Sequence, residues 1–343
     1  MQRKEILGLA ALVMAAVIWG FAFVSQVQGM DSMSPLFFNA VRFTLGAISL
    51  LPVMALTRRR HRPDGGRGRP PPPRRPRPAD GGTRTDGSPA SDLSVASSPA
   101  AGATTPWMTL AIGGACGVLL FTAGTLQQYG ILYGRSAGRA GFITALYIVL
   151  VPLFGLFAHR RVTALTGVSV IVALAGFYLL CLGDGFEAIN MGDLMVFLGS
   201  VCFALHILTI DTLGSRIDPV LLSFIQFAVT ALLSWIGALA DGSIDWRGAA
   251  EAWIPVLYAG FGSVGIAYTL QSVGQRFVPP TRAALALSLE SFFSVVGGVI
   301  LLSETMPMRG YIGCALIFAG TLMAQLPAKV PSFLRRPDRN KVL

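Results

Sequence analysis

One acidic residue, Glu290, lies inside a long apolar stretch, 280–302. In a membrane-spanning helix it would lie about ten residues from the start, roughly 15 Å along the axis and near the bilayer midplane. A charge at that depth costs about 2.5 to 3.5 kcal/mol, so it should face a bundle interior or water. Ala283, Ser294 and other small residues share its helical face. We expect Glu290 to line a cavity and bind a cationic group or carry a proton, with a structural carboxylate as the alternative.

A basic residue, Arg42, lies in a second apolar stretch, 35–57. It falls about seven residues into the predicted helix, roughly 10 Å deep, and Asn39 shares its face. Because a guanidinium binds carboxylates through two parallel hydrogen bonds, Arg42 could hold a substrate carboxylate. Pairing with Glu290 and anchoring at the headgroups are the alternatives. If Arg42 and Glu290 face one cavity, the pair suits a zwitterion such as an amino acid.

Further polar and aromatic side chains inside apolar stretches are candidate cavity residues, with ordinary helix packing as the alternative for each. They are Trp19, Phe23, Gln127, Gln128, Thr144, Tyr147, His206, Tyr268 and Gln271. His206 could relay protons, and Pro152 should kink the helix that carries Tyr147. No cluster of catalytic or metal-binding residue types is apparent, so the sequence predicts neither an enzyme nor a cofactor or metal.

The composition places these residues in a membrane. The chain of 343 residues is 53% hydrophobic and only 13% charged, far more apolar than an average soluble domain. Ten stretches approach the roughly 20 apolar residues that cross a bilayer. They are 6–28, 35–57, 107–129, 139–158, 162–182, 192–212, 219–240, 253–274, 280–302 and 308–326. The net charge of +10 comes from residues between these stretches and at the C-terminus, so we expect the lipid bilayer, and not nucleic acid, as partner.

The chain contains one pattern twice. Matching residues recur at shifts of 143, 144 and 184 positions. They include Arg139 with Arg282 and Gly155 with Gly298 at 143, Gln127 with Gln271 at 144, and Gly8 with Gly192, Pro35 with Pro219 and Phe43 with Phe227 at 184. Each copy has five predicted helices, and a repeat with an odd number of spans must be inverted when it crosses the membrane again. Inverted repeats are typical of alternating-access transporters.

Residues 58–106 interrupt the first repeat and are rich in Pro, Gly, Ser and Arg. This composition cannot bury a core, so we expect a disordered insert. The predicted organisation is then helices 1 and 2 (1–57), the insert, helices 3 to 5 (107–184), the second repeat (185–327) and a basic tail (328–343). Of the 27 Lys and Arg residues, 22 fall on the side of the N-terminus, which predicts cytoplasmic termini. The preference for Arg over Lys, with abundant Ala and Gly, indicates a GC-rich bacterial genome and hence an inner-membrane protein.

Several motifs together resemble the EamA family of the drug/metabolite transporter superfamily. They are the two five-helix repeats, Trp-Gly-Phe-Ala-Phe-Val at 19–24, Ala-Val-Arg-Phe at 40–43, and Ser303-Glu304 before a glycine-spaced last helix. The resemblance covers all but 58–106. It implies an all-α integral membrane fold of ten transmembrane helices in two inverted repeats, with a cavity among helices 1 to 4 and 6 to 9. Ser291 departs from the family pattern, which often has Pro after the helix 9 glutamate. We expect Glu304 to form a cap or to pair with Arg309.

The residues and the resemblance together favour a secondary-active transporter for a small-molecule substrate. We expect export of small metabolites such as amino acids by alternating access, with proton coupling through Glu290. One alternative is proton-coupled efflux of lipophilic cationic drugs, in which Arg42 is structural. A second is a membrane scaffold or receptor that acts through the 58–106 insert. The oligomeric state is left open.

Overall fold

The structure, a computed structural model, describes residues 3–60, 105–157, 164–179 and 190–325. Most of the predicted insert and all of the basic tail fall outside these residues. Within them the regular elements are helices, and we number the main ones in chain order. They are α1 (Arg3–Gly29), α2 (Pro35–Arg60), α3 (Pro106–Gly134), α4 (Ala137–Thr144 and Tyr147–Phe157), α5 (Ala164–Phe177), α6 (Met191–Thr212), α7 (Pro219–Ala240), α8 (Trp253–Gly274), α9 (Pro280–Leu287 and Leu289–Leu302) and α10 (Met308–Gln325). A short helix, Trp246–Glu251, precedes α8.

Eight of these helices are long and apolar enough to cross a membrane, namely α1 to α4 and α6 to α9. The other two, α5 and α10, are apolar but shorter within the described part of the chain. The all-helical membrane fold is therefore confirmed, while the count of ten spans stays a prediction.

Short polar motifs fix where several helices begin. Thr105 accepts a hydrogen bond from the Met108 amide ahead of α3. Asp218 accepts bonds from two amides at the start of α7. Both caps are followed by Pro, which tolerates the first helical position because it has no N–H to satisfy. Asn190 and Asp193 form a reciprocal capping box at the start of α6. These helix starts follow from local sequence.

The two repeats interleave throughout the bundle. Successive spanning helices alternate in direction, and we call the end that holds Arg3 the N-terminal end and the end that holds the α1–α2 turn the opposite end. The main packing partners join a helix of one repeat to a helix of the other. They are α1 with α8 and α9, α2 with α7 and α8, α3 with α6 and α7, α4 with α9, and α5 with α10. Neither half therefore has a core of its own, and the centre of the molecule lies between the repeats.

Both α4 and α9 are broken near their middle. In α9 the break is at Ser288, where the Ser288 hydroxyl donates to the Leu285 carbonyl and the Ser291 hydroxyl donates to the Ser288 carbonyl. Such bonds compete with the helical ladder and bend helices. In α4 the break lies at 145–146, upstream of Pro152, which sits inside the second segment. The kink at Pro152 stays a prediction, and the break in α9 occurs without a Pro.

Glycines allow the central helices to approach closely, and Gly20 is where α1 meets α9. A Cβ built there would lie 2.8 Å from the Glu290 carbonyl oxygen. We predict that Gly20→Ala lowers the unfolding temperature in detergent, because overpacking costs about 1 to 3 kcal/mol. Gly114→Ala is the matched control, since its added methyl would meet nothing within 4 Å. Equal unfolding temperatures for the two variants would contradict this packing.

Candidate functional site

A narrow cavity of about 30 Å³ lies at the centre of the bundle. It is lined by residues of α1 to α4, α6, α8 and α9. These residues are Trp19, Phe23, Gln26, Arg42, Gln127, Thr144, Tyr147, Phe203, Ile207, Ser263, Tyr268, Gln271, Leu287 and Glu290. The cavity brings together eight of the ten predicted substrate-binding residues, and the other two, Asn39 and His206, do not line it. Substrate binding by any of them stays a prediction.

The wall of this cavity is built largely from equivalent positions of the two repeats. Applying the shifts found in the sequence pairs most lining residues with one another. The pairs are Trp19 with Phe203, Phe23 with Ile207, Gln127 with Gln271, Thr144 with Leu287, and Tyr147 with Glu290. A bound molecule would therefore lie where the repeats meet, and the residues that differ within a pair make its surroundings asymmetric.

Glu290 is 4% exposed and lies next to its own equivalent in the first repeat. The Tyr147 hydroxyl donates a hydrogen bond of 3.0 Å to Glu290 Oε1. Among the described residues, no basic side chain forms an ion pair with this carboxylate. A carboxylate held by one neutral donor in a buried cavity can still accept a proton or a cationic group.

Arg42 is 3% exposed and reaches the same cavity from α2. Its guanidinium lies 5.5 Å from the Phe38 ring centroid and 5.1 Å from that of Phe43, which are cation–π distances. No acidic residue of the described part is ion-paired with it, and its Nε has no hydrogen-bond partner there. The predicted pairing with Glu290 is thus absent, and burial excludes the headgroup anchor. Binding of a solute anion by Arg42 and a structural role for it both stay predictions.

Tyr268 lines the same cavity as Arg42 and Glu290. Its ring packs edge-on against Trp19, with 4.6 Å between centroids, and lies 6.2 Å from Phe43. In contrast to the Tyr147 hydroxyl, the Tyr268 hydroxyl makes no hydrogen bond within the described residues, and it is therefore available to a bound molecule.

An unusual stretch of α8, Tyr258–Tyr268, is π-helical and ends at this tyrosine. Single π turns in helices are often found at functional sites. Two hydrogen bonds join the stretch to α1: Trp19 Nε1 donates to the Ser263 carbonyl, and the Tyr258 hydroxyl donates to the Ile18 carbonyl. These bonds hold α1 against α8 and fix the Trp19 ring at the cavity wall.

His206 and Asn39 lie outside the cavity wall although both are buried. His206 Nε2 and Gln226 Oε1 are 2.8 Å apart, and the imidazole ring lies edge-on to Tyr268, with centroids 6.3 Å apart. Asn39 is one turn from Arg42, but neither of its side-chain polar atoms has a partner among the described residues. Gln128 also lies off the cavity, and its Nε2 donates to the Gln26 carbonyl.

At the opposite end, the start of α4 is joined to α9 and α6. Glu304, which follows α9, accepts bonds from the Ser136 hydroxyl at 2.9 Å and the Ala137 amide at 2.7 Å. Of the two predicted roles for Glu304, the structure therefore shows the cap, and the capped helix is α4. Arg139 forms a two-pronged ion pair with buried Asp193 of α6. These contacts close the bundle above the cavity at this end.

At the N-terminal end, the equivalent contact is weaker. Arg282 is the repeat equivalent of Arg139, and it pairs with Glu5 at 2.6 Å. The side chains of Arg282 and Glu5 are 50% and 24% exposed, against 27% and 6% for Arg139 and Asp193. Exposed ion pairs contribute little, about 0 to 1 kcal/mol. Within the described residues, polar contacts thus hold the opposite end more firmly than the N-terminal end.

Five lining residues were missed from the sequence: Gln26, Phe203, Ile207, Ser263 and Leu287. Three of them are the repeat equivalents of Trp19, Phe23 and Thr144, so applying the shifts to those candidates would have found them. Gln26 carried a signal as an intramembrane amide. Ser263 contacts the cavity through an irregular helix, for which the sequence offers no signal.

Comparisons with known proteins agree with this architecture. A family model described as the EamA-like transporter family matches residues 6–69 and 190–325. An "Uncharacterized transporter" of Archaeoglobus fulgidus is 25% identical over 325 residues, covering 94% of this chain and 87% of the relative. A solved crystal structure of a protein superposes with a TM-score of 0.63 at 19% identity, covering 93% of this chain and 96% of the other. The last similarity supports the fold alone.

Proposed function

Because the chain belongs to the EamA-like transporter family, within the drug/metabolite transporter superfamily, we propose that this membrane transporter exports small zwitterionic metabolites such as amino acids. One observation carries the proposal: Arg42 and Glu290 line the same cavity, and within the described residues neither has a partner of opposite charge. Isolated buried charges are costly. A zwitterion supplies both missing partners at once.

In this proposal the solute carboxylate binds Arg42 and the solute ammonium binds near Glu290. The cavity volume of about 30 Å³ is well below that of usual small-molecule sites, about 300 to 1,000 Å³, so the helices around the cavity must move apart to admit a solute. A solute with only one charge would leave either Arg42 or Glu290 buried without a counter-charge, which disfavours it. The aromatic walls from Trp19 and Tyr268 would pack against the rest of the solute.

We further propose that transport is by alternating access and exchanges solute for protons at Glu290. A carboxylate that binds either a proton or the solute ammonium, but not both, couples the two movements. At the opposite end, Glu304 and Asp193 join the start of α4 to α9 and α6, and in this proposal release at that end breaks these contacts. We propose that the N-terminal end faces the cytoplasm of a bacterium. A reporter that is active only outside the cytoplasm should therefore be inactive when it is fused to either terminus.

We predict that Asp193→Asn makes the cavity easier to reach from the opposite end. The change removes the charge that holds Arg139, and breaking a buried pair is strongly destabilising for the closed arrangement. The measurement uses a protein whose four native cysteines are replaced and whose Thr144→Cys change introduces a thiol at the cavity. A membrane-impermeant maleimide should label this thiol about tenfold faster when Asp193→Asn is also present. A tenfold change corresponds to about 1.4 kcal/mol lost from the closed arrangement.

The control for this prediction is Asp241→Asn. Asp241 lies at the same end but is exposed and only accepts a local bond from the Ser243 amide. It should leave the labelling rate of the cavity thiol unchanged. If Asp193→Asn and Asp241→Asn give the same rate, the Arg139–Asp193 pair does not close the cavity.

A second candidate function is efflux of lipophilic cations. The observation that favours it is the stacking of Arg42 with Phe38 and Phe43, which could make this arginine a structural element and leave Glu290 as the binding charge. Uptake of labelled amino acids, the corresponding decarboxylated amines and lipophilic cations into proteoliposomes distinguishes the two. Transport of amino acids alone supports our proposal, and transport of cations alone supports the alternative.

A further inference from the structure

Eleven buried side-chain atoms capable of hydrogen bonding have no partner within the described residues. Native proteins pair nearly all such atoms with protein or water, so a concentration of them needs an explanation. They fall into two groups. The first is Gln26 Oε1, both polar atoms of Asn39, Arg42 Nε, Thr125 Oγ1 and Gln128 Oε1, and the second is His206 Nδ1, Gln226 Nε2, Gln271 Oε1 and both polar atoms of Gln275.

The two groups lie on opposite sides of the cavity and belong to different repeats. The first group is on α1, α2 and α3, in the halves of these helices nearer the opposite end. The second is on α6, α7 and α8, in the halves nearer the N-terminal end, with Gln275 just beyond α8. One member of each group, Arg42 and Gln226, occupies the equivalent position of its repeat.

Each group is continuous with the cavity. Gln26 and Arg42 of the first group line it, and so does Gln271 of the second. The two groups, which we call the two bands, therefore meet one central cavity and lie in opposite halves of the bundle.

Packing does not require polar residues in these bands. The repeat equivalent of Gln26 is Ile210, and that of Gln275 is Ile131. Both isoleucines are buried. The duplicated fold therefore accepts an apolar side chain at one copy of each position, and the polar residue in the other copy needs another reason to be retained.

We propose that the two bands are the polar walls of the solute path. The second band lines the half between the N-terminal end and the cavity, and the first lines the half between the cavity and the opposite end. Each band is exposed to water and to the solute when its own half opens, and its unpaired atoms then bind a hydrogen-bonding solute as it passes. This inference rests on the alternating-access mechanism proposed above, but not on proton coupling or on the zwitterion.

Asn39 and Gln275 test the proposal because neither lines the cavity and both polar atoms of each lack a partner among the described residues. Asn39→Leu and Gln275→Met keep the side-chain size and remove the unpaired atoms. Each variant should unfold at a higher temperature than the wild type in detergent, yet transport solute at least tenfold more slowly. Affinity for the solute, measured by equilibrium binding to the cavity, should change less than threefold.

Thr230→Val is the matched control. Thr230 is fully buried on α7, but its hydroxyl donates to the Gly117 and Gln226 carbonyls and is thus satisfied. This variant should unfold at a lower temperature and transport normally. If the band residues are instead satisfied structurally by ordered water, Asn39→Leu and Gln275→Met will behave like Thr230→Val, and that result would overturn the proposal.

Thiol accessibility separates this inference from the proposed substrate and coupling. The native cysteines are replaced and a single new cysteine is introduced at position 275 or 39. A water-soluble thiol reagent should label the Gln275→Cys protein only when it is added at the N-terminal end. It should label the Asn39→Cys protein only when it is added at the opposite end. Solute turnover should accelerate the labelling of the Asn39→Cys variant at least threefold. Lack of labelling at both positions would overturn the path, whereas normal labelling with no proton movement would overturn only the coupling.

Discussion

Glu290→Gln is expected to remove the response of transport to a pH gradient. The amide keeps the shape of the side chain and can still accept the Tyr147 hydrogen bond, so the fold should be preserved, but it can neither take up a proton nor carry a negative charge. Hydrogen bonds to charged groups contribute about 1.5 to 3 kcal/mol, which predicts a rate lowered by about 10- to 100-fold. The measurement is export of labelled solute from proteoliposomes under an imposed pH gradient.

The control for this prediction is Glu251→Gln. Glu251 is exposed and only pairs with Arg247, one helical turn away at 3.4 Å, so its neutralisation should not alter transport. A Glu290→Gln protein that still responds fully to the pH gradient would show that Glu290 is a structural carboxylate.

Arg42→Lys is expected to impair transport of carboxylate-bearing solutes while sparing their decarboxylated amines. Lysine keeps the charge but lacks the planar fork that binds a carboxylate through two hydrogen bonds and stacks between Phe38 and Phe43. The loss of one such charge-assisted bond predicts about a 10- to 100-fold rise in the KM for amino acids. Transport assays with paired amino acid and amine solutes measure it.

Arg247→Lys provides the comparison, because the Arg247 side chain is 90% exposed and should tolerate the change. If Arg42→Lys impairs the transport of amino acids and of amines equally, Arg42 does not bind the solute carboxylate. The efflux of lipophilic cations would then become the better proposal.

The sequence predicted the fold well because a membrane limits what the backbone can do. Only a helix satisfies its own N–H and C=O groups in the bilayer core, so apolar length alone locates the spans. The predicted stretch 219–240 is thus α7 (Pro219–Ala240). The break in α9 was not predictable in this way, since it involves two serine hydroxyls that bond to the backbone, and serine mid-helix does so only in some contexts.

The internal repeat and the helical faces predicted which side chains line the cavity only in part. Glu290 and Arg42 were found because charge at membrane depth is costly, and both line the cavity. Asn39 shares the helical face of Arg42 but does not line the cavity, because helical spacing gives the face of a residue and not what covers it. The partner of Glu304 could not be known either, since a cap on another helix is a tertiary contact.

The central claim is that Glu290 couples solute movement to proton movement through the cavity. The most direct test records the internal pH of proteoliposomes after addition of a solute gradient, with no imposed pH gradient, for wild type and Glu290→Gln. Our account predicts that amino acids drive proton movement in the wild type and that Glu290→Gln abolishes it. Solute transport without proton movement, equal in the two proteins, would contradict it.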